Sequence, residues 1–375
     1  MDSLFIGLMS GTSLDGIDAV LVDFSHDKPQ LISSYSQNIP LDLTHDIQQL
    51  CDGQISHHEI NKMGAVDRQL GQLFAKAVNT LCQQANIDPA QVTAIGSHGQ
   101  TIRHYPDGAQ GFTLQIGDAN TIAVQTGIDV IADFRKKDIA LGGQGAPLVP
   151  AFHQSVFHSN STNNDNNDRM IVNIGGIANV TFLPGDDSQP ISGFDTGPGN
   201  TLLDRWIQTH QSQPYEDNGA WARSGVLNQP LLTQLLSDTF FQLSGPKSTG
   251  RERFNLDWLN SHLTDDNISS QDVQHTLVHL TAKSLASALK SLASSGEIYL
   301  CGGGSRNAFL VSVIEHYLPQ FKVFNTEALG VNPDWVEAIA FAWLARAYTL
   351  KQPGNVPAVT GASRSAVLGA YFPAD

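Results

Sequence analysis

The sequence predicts an α/β protein of two similarly built domains. Three observations carry this expectation. A strand–glycine turn–strand unit, "FIGLMSGTSLDGIDAVLVDF" (Phe5–Phe24), opens the chain, and a second unit of the same kind, "MIVNIGGIANVTFL", begins at Met170. A strand, a triple-glycine turn and a helix follow in "EIYLCGGGSRNAFLVSVIEHYL". A helix of small residues, "NPDWVEAIAFAWLARAY", comes after it. A chain of 375 residues is long enough for two cores of ordinary size.

The elements follow in order. Phe5–Leu8 and Ile17–Phe24 read as strands around the opening turn, with Leu31–Ile39 as a third. From Glu59 to Gln84 apolar residues recur at helical spacing (Val66, Leu70, Phe74, Ala77, Leu81). Val92–Ser97, Phe112–Ile116 and Val130–Ala132 are short buried strands. "GGQGAPLVP" leads into a helix near residue 150, and the polar "SNSTNNDNND" (Ser159–Asp168) reads as a surface loop near a domain junction. Helices are expected over Leu202–His210, Pro230–Phe240 and Ser270–Ser294. The small-residue helix is expected to start at Asn332 as N-cap with Pro333 at its first position. Its five alanines suit close packing against another helix. The expected division is an N-terminal domain, 1–150, completed by about 352–375, and a C-terminal domain, 151–351.

Composition narrows the function classes. A formal net charge of −15 repels nucleic acid and anionic membranes. Any anionic ligand must then be held by local backbone N–H groups, helix N-termini or a metal ion. Many of the 33 glycines fall in clusters, which suggests backbone-lined ligand loops. Cys51, Cys82 and Cys301 are scattered, with no CxxC pair, which points to a reducing cytoplasm. No apolar stretch approaches the roughly 18 residues needed to span a bilayer. "GPKST" (Gly245–Thr249) is no phosphate-binding P-loop, because Pro246 precedes Lys247 and Phe stands at position 240.

The order of these elements resembles that of the acetate kinase, sugar kinase, Hsc70 and actin superfamily. The letters are more specific. "GLMSGTSLDGIDA", "SHGQT", "ADFR", "GGQGAPLVP", "VNIGGIANVT", "GFDTGPGN", "PKSTGRE" and "CGGGSRN" together resemble the anhydro-N-acetylmuramic acid kinase family, from Gly7 to about Tyr348. The resemblance implies a two-domain, actin-like ATPase (ribonuclease H-like) fold with a nucleotide cleft between the domains. It also implies ATP and Mg²⁺ as cofactors, 1,6-anhydro-N-acetylmuramic acid as substrate, a role in cell-wall recycling, and a homodimer.

Residue by residue, Gly11–Asp18 looks like the first phosphate turn. Gly11, Thr12 and Ser13 would offer N–H and O–H donors to ATP, within a turn completed by Leu14, Asp15, Gly16, Ile17 and Asp18. Asp15 and Asp18 suit water-mediated Mg²⁺ or sugar hydroxyls, and Asp18 reads equally as an acid that braces the hairpin. Gly175 and Gly176 form the second phosphate turn, and Gly302, Gly303 and Gly304 face the adenosine. Asp195, in "GFDTGPGN", stands at a strand end, where a carboxylate suits a general base. In the resembling family this aspartate activates water that opens the anhydro bridge. An Asx-turn acid is the competing reading. His98 is a sugar contact or a satisfied core histidine. Arg135 pairs with a lactyl carboxylate or forms a surface salt bridge. Glu337 contacts sugar or simply favours the helix dipole. Two other functions fit part of the pattern: another sugar or carboxylate kinase of the superfamily, and a nucleotide-switched binding protein of the Hsc70 or actin type. The chain has no spare segment for the peptide-binding domain or filament surface that the latter needs.

Overall fold

The computed structural model describes residues 3–11, 14, 16–26, 28–53, 55, 57–158, 167–186, 188–243, 247–263 and 267–375. Its strands, in chain order, are β1 (Leu4–Ser10), β2 (Ile17–Asp23), β3 (Gln30–Gln37), β4 (Ala94–Ser97), β5 (Gln100–Tyr105), β6 (Phe112–Ile116) and β7 (Val130–Ala132). They continue as β8 (Arg169–Ile174), β9 (Ile177–Leu183), β10 (Ser192–Pro198), β11 (Gly296–Cys301), β12 (Phe321–Asn325) and β13 (Ala370–Phe372). The chain divides into two compact units, residues 1–156 with 335–375, and residues 157–334.

The first unit is built on a sheet ordered β13-β7-β4-β1-β2-β3. β1, β2 and β3 run antiparallel, whereas β1, β4 and β7 run parallel. On one face, Ile6, Leu8, Ala19 and Leu21 pack with Val66, Leu70, Phe74 and Val78 of the helix Glu59–Ala85. The other face takes the helix Val336–Thr349 at very short range. Gly7 of β1 and Gly96 of β4 are register partners. A Cβ at Gly7 would lie 1.9 Å from the Ala338 carbonyl oxygen, and one at Gly96 would lie 2.0 Å from that of Phe341. Both faces of β1 are therefore covered, which explains its unbroken apolar run.

This helix therefore belongs with the first unit, although the expected division set residues 335–351 in the second. Its small residues serve a close approach to strands, not the helix partner the alanines suggest. It also begins later than expected, at Val336. Asn332 does not cap it: its Oδ1 accepts the N–H of Asp334 (2.9 Å) in a turn ahead of the helix. The C-terminal tail returns as β13 and pairs antiparallel with β7, as the sequence suggested.

The second unit has a sheet ordered β10-β9-β8-β11-β12. β8, β9 and β10 are antiparallel and β8, β11 and β12 parallel. That repeats the β3-β2-β1-β4-β7 pattern of the first unit, the ribonuclease H-like order. Its core joins Met170, Val172, Val180 and Ile298 to Val273, Leu277 and Leu285 of the helix Ser270–Leu292. The helix expected over Pro230–Phe240 is two pieces, Gln229–Leu235 and Thr239–Gln242, because Asp238 caps the second by accepting from the Phe240 N–H. Among the described residues no helix is long and apolar enough to cross a membrane.

Candidate active site

The candidate residues fall into two groups, one in each unit. In the first unit, β1 and β2 pair out to Ser10 and Ile17, so the connecting turn is residues 11–16. Thr12, Ser13 and Asp15 lie outside the described residues. Leu14 adopts a left-handed backbone, φ 59°, which is unusual for a residue with a Cβ. Burial of its side chain in the core offsets that cost. Ile17 also points into the core, so Leu14 and Ile17 can offer a ligand only their backbone. Gly16 has the Gln37 carbonyl oxygen 3.0 Å from where a Cβ would sit. Ser10 and Gln100, both buried, anchor the base of the turn: Ser10 Oγ donates to Gln100 Oε1 (2.7 Å) and to the Gly16 carbonyl (3.3 Å). Asp18 sits on β2 and its Oδ1 accepts from Ser36 Oγ (2.7 Å).

His98, Arg135 and Glu337 form one cluster. Arg135 Nε and Nη2 lie 3.2 and 2.8 Å from His98 Nε2, and Arg135 Nη1 donates to the Gly145 carbonyl (2.8 Å). An arginine can only donate, so His98 Nε2 is the acceptor and Nδ1 carries the proton. Burial first, and then the Arg135 charge, push the His98 pKa down to about 3, so the ring is neutral. Its face packs on Phe341, centroid to centroid 4.8 Å. Arg135 is no surface salt bridge: its guanidinium makes no ion pair among the described residues. Burial lowers its pKa to about 10 against the opposing charges of Glu337 and Asp138. Glu337 lies in the first turn of its helix. Burial holds its carboxyl above the usual range; Arg135 pulls it down and the charge of Asp18 pushes it up. A cavity of about 200 Å³ opens beside His98, walled by Ser97, Gln115, Asp67 and Asp133 among others. Ser97 Oγ and Gln115 Oε1 are buried there without a partner among the described residues.

In the second unit, Gly175 and Gly176 form the β8–β9 turn. Their carbonyls accept the N–H groups of Gly199, Asn200 and Thr201 at 2.8–3.0 Å, which fixes the turn against the end of β10. A Cβ at Gly176 would lie 3.7 Å from the guanidinium of Arg251. Asn200 precedes the helix Thr201–Gln211, but its side chain does not cap it; Nδ2 donates to the Ile174 carbonyl instead (3.1 Å).

Asp195 lies within β10, at a bulge between Asp195 and Gly197, and not at the strand end that its sequence neighbours suggested. Its N–H donates to the Lys247 carbonyl (2.9 Å) of the neighbouring loop, and its Oδ2 accepts the Thr249 N–H (2.9 Å). Burial raises its pKa to about 7; the Thr249 N–H opposes this, Glu252 adds to it and Lys247 opposes it. That value is close to the working optimum of a general base at neutral pH. Thr249 Oγ1 beside it is buried and has no partner among the described residues. Lys247 is occupied elsewhere, with Nζ donating to the carbonyls of Phe240 and Leu243.

The three glycines after β11 differ in what they require. Gly302 has φ +77°, and a Cβ there would meet Asn173 Oδ1 at 2.2 Å. At Gly304 a Cβ would strike the Ile174 side chain at 2.3 Å. Among the described residues Gly303 has only Asn200 Nδ2 within 4 Å, at 3.8 Å, so none of them demands a glycine there. Gly303→Val is expected to fold normally and to weaken binding of a non-hydrolysable ATP analogue in calorimetric titration. Wild-type affinity in the folded variant would remove this turn from the nucleotide site.

The sequence reading passed over Ser10, Gln100, Thr249, Arg251 and Asp138. Thr249 and Arg251 do lie in "PKSTGRE", one of the motifs that carried the resemblance. Ser10 and Gln100 lie in two more of them, "GLMSGTSLDGIDA" and "SHGQT", whereas Asp138 lies in none.

Two sheets of one strand order, each with a glycine turn in its first hairpin, place the chain in the ribonuclease H-like class of actin-like ATPases and sugar kinases. A family model described as anhydro-N-acetylmuramic acid kinase matches residues 3–374, and the chain belongs to that family. The anhydro-N-acetylmuramic acid kinase of Shewanella pealeana is 56% identical over 375 residues, covering 100% of both chains. That of Shewanella halifaxensis is 55% identical over the same length and coverage. Among solved structures, the activator of the 2-hydroxyisocaproyl-CoA dehydratase from Clostridium difficile with bound ADPNP aligns with 90% of this chain and 92% of its own, at 11% identity and TM-score 0.47. The chain is a kinase that uses ATP.

Proposed function

We propose that this kinase converts 1,6-anhydro-N-acetylmuramic acid, ATP and water into N-acetylmuramic acid 6-phosphate and ADP, and so serves cell-wall recycling in the cytoplasm. The observation that carries the reading is Asp195, a carboxylate fixed by one backbone N–H and raised by burial to about 7. A 1,6-anhydro sugar has no free O6 hydroxyl for an ordinary kinase base to deprotonate. Asp195 instead takes a proton from water. The water oxygen bonds to C1, the C1–O6 bond breaks, and O6 accepts the γ-phosphoryl group as ADP leaves. The Thr249 hydroxyl, buried without a partner among the described residues, would orient that water.

Other residues bind and orient. Arg135 carries the positive charge that suits the lactyl carboxylate, with neutral His98 and Glu337 beside it. The unpaired Ser97 hydroxyl and Gln115 carbonyl suit a hydrogen-bonding substituent such as the acetamido group. Backbone N–H groups of the 175–176 turn suit phosphate, with Arg251 adding charge at Gly176. Among the described residues no group of three or more His, Cys, Asp or Glu side chains could hold a metal ion. Mg²⁺ would be held mainly through ATP phosphates and water, with Asp15 or Asp18 meeting its water shell. The ion would neutralise phosphate charge. A homodimer belongs to the same reading and rests on the resemblance alone.

Reaction in ¹⁸O-labelled water tests the proposal. The label is expected on the C1 hydroxyl of the product and none in the phosphate. Label in the phosphate would mean that water attacks phosphorus, and the ring-opening assignment would be wrong.

A further inference from the structure

The two-turn helix Phe134–Ala140 carries Arg135 and, three residues on, Asp138. Asp138 is fully buried, at 0% exposure. A carboxylate in that position is tolerated only when its lone pairs are used. Here they are. Oδ1 accepts from Asn355 Nδ2 (2.7 Å) and Thr360 Oγ1 (2.9 Å), and Oδ2 accepts the N–H of Gly145 (2.8 Å). The Asp138 carbonyl also accepts the Gly143 N–H (2.9 Å). A Cβ at Gly143 would sit 2.2 Å from Oδ2, so this glycine makes room for the carboxylate. The loop is closed from the other side by the Gln144 N–H on the Thr360 carbonyl (2.7 Å).

The fixed loop in turn fixes Arg135. Gly145 is gripped at both ends of its peptide: its N–H by Asp138 and its carbonyl by Arg135 Nη1 (2.8 Å). Together with His98 on Nε and Nη2, this defines the plane of the guanidinium. Among the described residues three of its five N–H groups are used, which leaves two for a ligand.

We propose that Asp138 is a positioning residue for substrate binding: through Gly145 it aims Arg135, and through Asn355 and Thr360 it makes the C-terminal segment part of that support. The proposal rests on the reading of Arg135 as the partner of the sugar's carboxylate. Substituting Asn keeps the shape but removes the charge and sets an NH₂ donor against at least one of the donors that now converge on the carboxylate.

A double-mutant cycle on the full chain tests it. Arg135→Ala is expected to raise KM for the anhydro-sugar roughly tenfold to a hundredfold, the range for a lost charged hydrogen bond. Asp138→Asn is expected to raise the same KM about tenfold, with KM for ATP unchanged. In the Arg135→Ala background, Asp138→Asn should leave the sugar KM where it is. If Arg135→Ala alone does not change the sugar KM, the reading of Arg135 fails. If Arg135→Ala has its effect but folded Asp138→Asn has none, or has the same effect with and without Arg135, Asp138 is a structural staple and the proposal is overturned. Thr360→Val removes one donor and keeps the carboxylate. Should Asp138→Asn not fold, an unchanged sugar KM in Thr360→Val overturns the proposal, and a rise of about twofold to fivefold that vanishes with Arg135→Ala supports it.

Discussion

Asp195→Asn is expected to lower kcat by about 10²–10⁴-fold, the usual size of a general-base loss, while nucleotide binding is largely retained. Asn fills the same space and can still accept the Thr249 N–H, so geometry is kept and only the proton acceptor is lost. The wild-type enzyme should also show the group in its pH profile. Because burial places the pKa at about 7, kcat/KM should fall as pH drops through that value, and Asp195→Asn should lack that limb. Stability should move the other way. A carboxyl raised in the folded state holds its proton more tightly there than in the unfolded chain. The contribution of this carboxyl to stability therefore declines from about pH 4 up to about 7 and levels off above. Asp195→Asn should melt higher than wild type at pH 8, with the gap closing toward pH 4. An active Asp195→Asn enzyme, or a wild-type profile flat between pH 6 and 8, would remove Asp195 as the base.

The order of the elements was legible because hydrophobic spacing and glycine turns are local signals. The helix Glu59–Ala85 ended within a residue of its expected bound, and Phe112–Ile116 and Val130–Ala132 matched. The helix Leu41–Asp52 went unread although Leu43, Ile47 and Leu50 lie buried at helical spacing, because it has no side-chain cap and follows Pro40. β5 also went unread, since only alternate residues of its polar run are covered. Clustered glycines suggest loops lined for a ligand, and some glycines also answer to the fold itself: Gly143 yields to the carboxylate of Asp138, Gly304 to Ile174, and Gly7 to a helix more than 300 residues later. Spacing along the chain holds no trace of such partners. Candidate residues were nameable one by one for the same reason: "GFDTGPGN" names Asp195, but the burial that raises its pKa, and the Thr249 N–H that opposes the rise, depend on packing that no periodicity along the chain records.

That long-range contact at Gly7 gives the second large effect. Gly7→Ala and Gly96→Ala each place a methyl within 2.0 Å of a backbone carbonyl oxygen on the helix Val336–Thr349. No side-chain rotation relieves a clash with backbone. Either the helix moves outward or β1 and β4 bend, and both loosen the packing on that face. Ordinary overpacking costs about 1–3 kcal/mol; here the upper end or more is expected for each variant. Elsewhere in a strand the same substitution would gain about 0.5–1 kcal/mol from lost chain entropy, so the sign itself is diagnostic. At about 2–4 °C per kcal/mol, the melting temperature should fall by roughly 6–12 °C. The two sites also touch successive stretches of one helix, Ala338–Ala342 and Phe341–Ala345. Once the helix has moved to admit one methyl, the second meets less resistance. The double variant should therefore lose clearly less than the sum of the single losses. Unchanged or raised melting temperatures would show that the helix does not rest on these two strands, and strict additivity would mean that each methyl is accommodated locally without moving the helix.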